Sequence, residues 1–305
     1  MTFGLDARTL VAALKQLPEQ PLTLSLSDSA CTVSYANGHF CLPLAVVDDY
    51  PSFPQMKESS SVTVTSDVLS RILTRVPSFA ANDELRPIMC GICFSYDDGR
   101  LESVASDGHS LIRMTDACSP GAKGLFVMSV KTARLAESFL GRDAQDVTIC
   151  HDATHSYVRF SSFELTSRLI EGRFPNYNAV IPTTYTDFIE VDRKELLSVV
   201  RRAAVFASSA SQLLRLKAFG MQLDVTGQDV DFSTLSEASM MVTKSGADLT
   251  IGLKATILAT ILSTLTAERV VLQYADASRA VIFRPAEEAP GHAEFMLQMP
   301  MMLND

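Results

Sequence analysis

The sequence predicts an α+β fold in which one strand–helix–three-strand unit is repeated five times, and three observations carry that reading. A short alternating segment runs into a cap-like residue and an amphipathic helix at five places. The helical apolar positions Leu10, Leu69, Leu135, Leu196 and Ile257 are spaced by 59, 66, 61 and 61 residues, so a unit of about 61 fills the 305 residues. Between the helices lie runs with the period of two that marks strands.

The five strand-to-helix segments are TFGLDARTLVAALKQL, VTVTSDVLSRILTRV, FVMSVKTARLAESFL, FIEVDRKELLSVVRRA and LTIGLKATILATILSTL. Strand runs follow at Leu22–Ser27, His39–Val46, Val147–Cys150, Tyr157–Ser161, Val270–Ala275 and Ala280–Arg284. Helices this sparse need a sheet to cover, and two units make a domain of about 120 residues, a common size. Five units then give one half domain and two full ones, with boundaries expected at 1–60, 61–185 and 186–305 and linkers at MKESSS (56–61) and PTTYTD (182–187).

The formal charge of −9 argues against a chain that coats nucleic acid or anionic membrane with its whole surface. No run of about 18 apolar residues and no signal-like start occur, so a cytoplasmic protein with no membrane contact is expected. The charge is unevenly spread. Thirteen-residue windows over the five helices carry +6, and the other 240 residues carry −15. Arg8 and Lys15, Arg71 and Arg75, Lys131 and Arg134, and Lys194, Arg201 and Arg202 avoid the apolar stripes of their helices. For one helix, a solvated face explains this. Five such faces on one side of stacked repeats make a positive stripe suited to duplex phosphates read without base specificity.

Catalysis finds little support. Asp107, His109 and Ser110 are too close on one turn to form a relay, and no G-x-S-x-G elbow occurs. Cys90 and Cys93 with Cys150, His151 and His155 are the one combination that suggests zinc, and hence a zinc-dependent hydrolase as a remote alternative. An offset of three on a strand would point Cys90 and Cys93 to opposite faces, so reduced structural thiols, no metal and no cofactor are expected.

Four segments, ELRPIMCGICFSY (84–96), VASDGHSLIRM (104–114), SRLIEGRFPNYNAVIP (167–182) and MPMML (299–303), give the chain a resemblance to the bacterial DNA polymerase III beta subunit family, the replicative sliding clamps. The resemblance implies the DNA-clamp fold, helices lining a ring and sheets outside it, and a non-catalytic processivity factor on duplex DNA. It implies DNA polymerase III alpha, clamp-loader subunits and other clamp-motif proteins as partners. Their linear motif would enter a pocket of Met89, Ser106, Gly108, His109, Leu111, Pro175, Val180, Leu297, Met299, Pro300 and Met301. It also implies a head-to-tail homodimer joint in which Phe40 and Leu42, on an edge strand, meet Val205 and Phe206 of the other copy. The family has six repeats and this chain shows five, the retained sixty residues, with DDYPSFP (48–54), resembling the second half of the first domain. Ser110, Ala179 and Met302 depart from the family pattern and lower the positive charge near the pocket. A clamp-like scaffold that binds partners without closing a ring is the alternative. Loss of the first repeat would leave Leu10, Val11, Leu14 and Leu17 without a packing partner.

Overall fold

The computed structural model describes residues 2–303 except 48–49, 51–52, 56–58, 84, 122, 142–144, 183–184 and 186, so parts of the two expected linkers and of DDYPSFP lie outside the described residues. The chain divides into two compact units, residues 1–55 and 56–305. The first holds α1 (Ala7–Leu14) and an antiparallel meander of β1 (Thr23–Leu26), β2 (Ala30–Tyr35) and β3 (Gly38–Pro43). Asp6 caps α1, its carboxylate accepting from the Arg8 amide at 3.0 Å and the Thr9 hydroxyl at 2.6 Å. Among the described residues of this unit the buried apolar side chains are Cys31, Val33 and Leu42, and α1 buries none of its residues. The strand expected at the start of the chain is reduced to a single bridge, Gly4 to Ala45.

The second unit contains four repeats in succession. They are β4 (Ser60–Thr65), α2 (Ser66–Arg75), β5 (Gly91–Asp97), β6 (Arg100–Ser106) and β7 (Ser110–Ala117), then β8 (Lys123–Ser129), α3 (Val130–Ser138), β9 (Asp146–His151), β10 (His155–Arg159) and β11 (Glu164–Arg168). The third has β12 (Asp187–Asp192), α4 (Arg193–Phe206), β13 (Leu213–Phe219), β14 (Gln222–Asp229), β15 (Thr234–Met241) and a short β16 (Thr243–Ser245). The last has β17 (Leu249–Lys254), α5 (Ala255–Thr264), β18 (Arg269–Tyr274), β19 (Val281–Pro285) and β20 (His292–Gln298). Each helix caps on the residue ending the preceding strand; Thr65, Ser129 and Asp192 do so with a side-chain acceptor, which fixes where strand becomes helix.

Repeats combine in pairs by exchanging their first strands. Strand β4 joins β9 in the sheet β11-β10-β9-β4, and β8 joins β5; likewise β17 joins β13 in β15-β14-β13-β17, and β12 joins β18. Helices α2 and α3 pack together, as do α4 and α5. A nine-stranded sheet, β16-β12-β18-β19-β20-β7-β6-β5-β8, runs through both pairs because β20 pairs with β7 from His292↔Asp116 to Gln298↔Ser110. No helix among the described residues is long and apolar enough to cross a membrane.

Two helix registers differ from the expected ones. Leu135 is 45% exposed and Ile257 only half-buried, whereas Ala133 and Leu258 are fully buried at the helix position of Leu69 and Leu196. The structural repeat therefore aligns Leu10, Leu69, Ala133, Leu196 and Leu258. Alanine at 133 and 136 lets α3 lie close to its neighbours, and a search for large apolar side chains passes over it.

Candidate functional site

The basic helix residues separate into two groups. Arg8, Lys15, Lys131, Arg134, Lys194, Arg201 and Arg202 are exposed. Arg201 donates to the Ser263 hydroxyl at 3.1 Å and Arg202 to the Ser198 hydroxyl at 2.6 Å, contacts that leave their charge intact. Arg71 and Arg75 depart from the expectation of a free basic face. Arg71 is bound to Asp116 at 2.6 Å and Arg75 to Glu294 at 2.8 Å, with carboxylate side chains only 1% and 4% exposed. Their spacing puts them beside the β7–β20 seam, where buried acids demand cations.

His292 completes that seam. Its Nδ1 lies 2.8 Å from Asp116 and its Nε2 3.6 Å from Glu294. The hydrogen bond to Asp116, then the nearby Glu294 carboxylate, pushes its pKa up to about 9 against the opposing effect of burial. Asp116, His292 and Glu294 escaped the sequence reading because residues 176 apart meet only once β7 and β20 pair. Charged residues inside otherwise apolar strands were the available signal. Between the helices, Arg75 and Arg201 line an open cleft of about 500 Å³ with the hydroxyl-bearing Thr74, Ser78, Thr260 and Ser263.

The second constellation lies at the other end of the seam. Gly108 adopts φ 92°, a conformation that favours glycine. The Asp107 carboxylate accepts from the His109 amide at 2.8 Å and the Ser110 amide at 2.6 Å, so it organises the turn and does not address the His109 ring. Ser106 donates to the Ser110 carbonyl at 2.7 Å and accepts from Gly108 at 3.1 Å. Ser110 is buried, its hydroxyl 3.0 Å from Asp107. The His109 carbonyl accepts the Met299 amide at 2.8 Å, which ties the C-terminal segment to this turn. Arg86, not anticipated from sequence, donates to the Asp107 carbonyl at 3.3 Å and approaches the Met89 sulfur at 3.8 Å.

Leu111 and Leu297 face each other in the seam and are buried with Cys93, Val104, Phe174 and Ile282. Ile88, Tyr177 and Ile181 pack on the same cluster, so the segments around Met89, Gly108, Pro175 and Met299 converge on it. Tyr177 donates to Glu102, which, after burial, raises its pKa. Pro175 and Val180 are exposed, Val180 by 54%; Met299 is 40% exposed, and Pro300 and Met301 are half-buried. Met301 pairs with Gly252, where a Cβ would stand 2.6 Å from the Met301 carbonyl, so glycine is what lets the tail close on β17. Together they make a shallow apolar surface with adaptable methionines, suited to an extended peptide.

The zinc alternative meets a different geometry from the expected strand. Cys90 ends a 3-10 turn (Pro87–Cys90) and points its thiol at the Asp83 carbonyl, 3.2 Å away. Cys93 is buried in β5, which pushes its thiol up to about 12. His151 bonds the Tyr96 hydroxyl at 3.0 Å and His155 the Thr154 hydroxyl at 2.8 Å.

The expected joint residues lie on β3 and at the end of α4. Leu42 is 6% exposed inside the first unit, and Phe40, on the same face of β3, is half-buried with its ring 6.2 Å from that of Tyr35. They serve their own unit's core, because residues two apart on a strand share a face. Val205 and Phe206 are 78% and 40% exposed, beside β15, an edge strand carrying exposed Leu235 and Met241.

Residues 63–176 match the family described as DNA polymerase III beta subunit, central domain, and residues 178–301 that described as its C-terminal domain. The chain is 27% identical to the beta sliding clamp of Synechococcus elongatus over 218 residues, covering 70% of this chain and 58% of that protein. It is 22% identical to the Haemophilus influenzae beta sliding clamp over 304 residues, covering 99% of this chain and 82% of the relative. Among solved structures, the DNA polymerase III subunit beta of Pseudomonas aeruginosa superimposes with a TM-score of 0.91 at 22% identity, over 99% of this chain and 83% of that one. The Thermotoga maritima subunit gives 0.86 at 22% identity, over 99% and 82%.

Proposed function

The chain belongs to the DNA polymerase III beta subunit family, the sliding clamps, and from that membership we propose that it acts in the cytoplasm as a processivity factor, enclosing duplex DNA and holding replication proteins to it. The family tethers and does not catalyse. Residues 1–60 form half a clamp domain, 61–185 the second domain and 186–305 the third. Duplex DNA meets the exposed cations Lys131, Arg134, Lys194, Arg201 and Arg202, with Arg8 and Lys15 on the first unit. Loose phosphate contact suits a protein that must slide. The carboxylate partners of Arg71 and Arg75 compensate their charge, which supports a smaller part for these two in phosphate contact.

One observation carries the partner site: four chain segments converge on one apolar cluster across the β7–β20 seam and leave Val180 and Met299 exposed at its surface. We assign this surface to a linear motif with apolar anchors, carried by the polymerase III alpha subunit, clamp-loader subunits and other clamp-binding proteins. The reduced basic character at Ser110, Ala179 and Met302 means that acidic flanks on the motif contribute little. Two copies join head to tail, the open backbone edge of β3 against β15 with Val205 and Phe206 beside it. Titration of a fluorescent hexapeptide with apolar anchors tests the pocket. Val180→Asp or Met299→Asp is expected to weaken binding at least about tenfold, roughly 1.4 kcal/mol. Unchanged affinity in both variants places the motif elsewhere.

A further inference from the structure

In the four repeats of the second unit, the strand that leads into the helix pairs along one edge with the neighbouring repeat. Its other edge meets the chain just beyond the last strand of its own repeat, two residues before the cap: Thr63 at Ser119, Val127 at Ile170, Glu190 at Thr243 and Gly252 at Met301. The second and third repeats then diverge. In the third, the chain continues as β16, so that Ile189 faces Lys244 and Phe188, four before the cap, faces Ser245. In the second, Gly172 takes φ 127° two residues after Ile170 and turns the chain away, with Ile88 3.7 Å from where its Cβ would stand. Leu125, the counterpart of Phe188, has no partner on that edge among the described residues.

Beside that edge is an open cavity of about 390 Å³, walled by residues 125–127 of β8, the turn at 151–153 and the segment 169–172. Val127 turns its carbonyl to the Ile170 amide at 3.0 Å, and the alternation of a strand puts the amide and carbonyl of Leu125 on the same outer edge. The side chain of Leu125 is 57% exposed. The charged residues on the walls are both acids, Asp152 and Glu171, and Glu171 is exposed. Burial holds His151, the remaining titratable wall residue, below the ordinary imidazole range, so it adds no positive charge at neutral pH. Lys123, farther along the edge, is held by Asp97 at 3.1 Å. In the third repeat the strand that fills the corresponding place carries a lysine at its centre. The Lys244 side chain is 5% exposed, and its ammonium lies 2.9 Å from both the Asp248 carboxylate and the Gly246 carbonyl.

We propose that the outer edge of β8 binds an extended segment of another protein, antiparallel to residues 123–126 as β16 is to β12, with a lysine or arginine at its centre directed to Asp152 and Glu171. An open strand edge in an otherwise paired sheet is a template for such addition. Backbone bonds to Leu125 supply the affinity, and the two acids select a basic residue over an acidic one. The site shares no residue with the linear-motif surface at Val180 and Met299 and does not rest on that reading.

Fluorescence anisotropy on the 305-residue chain with the labelled heptapeptides TVTKTVT and TVTETVT tests it. Saturable binding of TVTKTVT is expected, with TVTETVT weaker by about tenfold or more. Leu125→Pro removes an outward amide and spares the bonds to β5, so it is expected to abolish binding while the chain stays folded. Glu171→Lys changes an exposed side chain and no backbone group, and is expected to reverse the preference between the two heptapeptides. Both variants are expected to bind the hexapeptide with apolar anchors as the wild type does, so failure of the linear-motif reading shows in that titration alone. Absence of saturable TVTKTVT binding, equal affinity for the two heptapeptides, a preference that Glu171→Lys leaves unchanged, or full affinity in folded Leu125→Pro overturns the proposal. A mass by light scattering that falls on Leu125→Pro puts a second copy of the chain on this edge and overturns it too.

Discussion

Replacing His292 by glutamine probes the seam where β7 meets β20. The imidazole faces Asp116 and Glu294, with Arg71 and Arg75 on α2 bonded to the same two carboxylates. Its side chain is 12% exposed. The folded-state pKa of about 9 lies above the ordinary 6.5, so the folded chain binds the proton more tightly than the unfolded chain. The resulting stability is fully present below pH 6.5 and is lost as the pH rises through about 9. At about 1.4 kcal/mol for each pKa unit, the contribution at pH 6 is on the order of 3 kcal/mol, reduced in practice by the two arginines that already compensate the acids. For a unit of this size that is roughly 5 °C or more in Tm. Thermal unfolding of wild type and His292→Gln from pH 6 to 9.5 is the assay. The gap between them is expected to close across pH 6.5 to 9. A gap that is constant over that range refutes the charged-seam argument.

Arg201→Ala with Arg202→Ala is expected to reduce the slope of log affinity for duplex DNA against log salt by about 2, since each phosphate contact contributes about 0.9. Arg71→Ala is expected to leave that slope unchanged and to lower stability by roughly 1–3 kcal/mol, because buried Asp116 loses one of its two cationic partners and keeps only His292. Gly252→Ala forces a Cβ to 2.6 Å from the Met301 carbonyl, so the tail must shift. Peptide affinity is expected to fall about tenfold with a stability loss of roughly 1–3 kcal/mol, read by titration and by urea denaturation.

The repeat and its helices were legible because amphipathic period and capping chemistry are local properties. Exchange of the first strands was not, since β4 looks the same whether it pairs with β5 of its own repeat or with β9 of the next. The pocket residues were legible through motif segments, yet Arg86, which holds the 106–110 turn, was hidden as one more charged residue before a proline. Phe40 and Leu42 show a third kind of difficulty. Their apolar character is plain, but which face of β3 looks inward is decided by Cys31 and Val33 on the neighbouring strand. The seam was the least legible: sequence set Arg71 and Arg75 on a basic face and gave no sign of the acids from β7 and β20 that also claim them.

That claim has a consequence for DNA. A guanidinium held against a carboxylate 2.8 Å away acts at a distance as a dipole, and its attraction for a phosphate falls off much faster than that of a free charge. Arg75 lines the cleft beside Arg201, so its pairing with Glu294 weakens the field where a phosphate would enter between α2 and α5. Glu294→Gln keeps the side-chain shape and one hydrogen-bond acceptor while releasing the charge of Arg75. It is expected to steepen the salt dependence of DNA association by about 1, and to lower stability because His292 loses one of its two acids. Salt titration of duplex binding, wild type against Glu294→Gln and against Glu294→Gln with Arg75→Ala, separates the two effects. The steeper slope must vanish in the double variant; a slope equal to wild type in Glu294→Gln itself shows that Arg75 does not reach phosphate even when free.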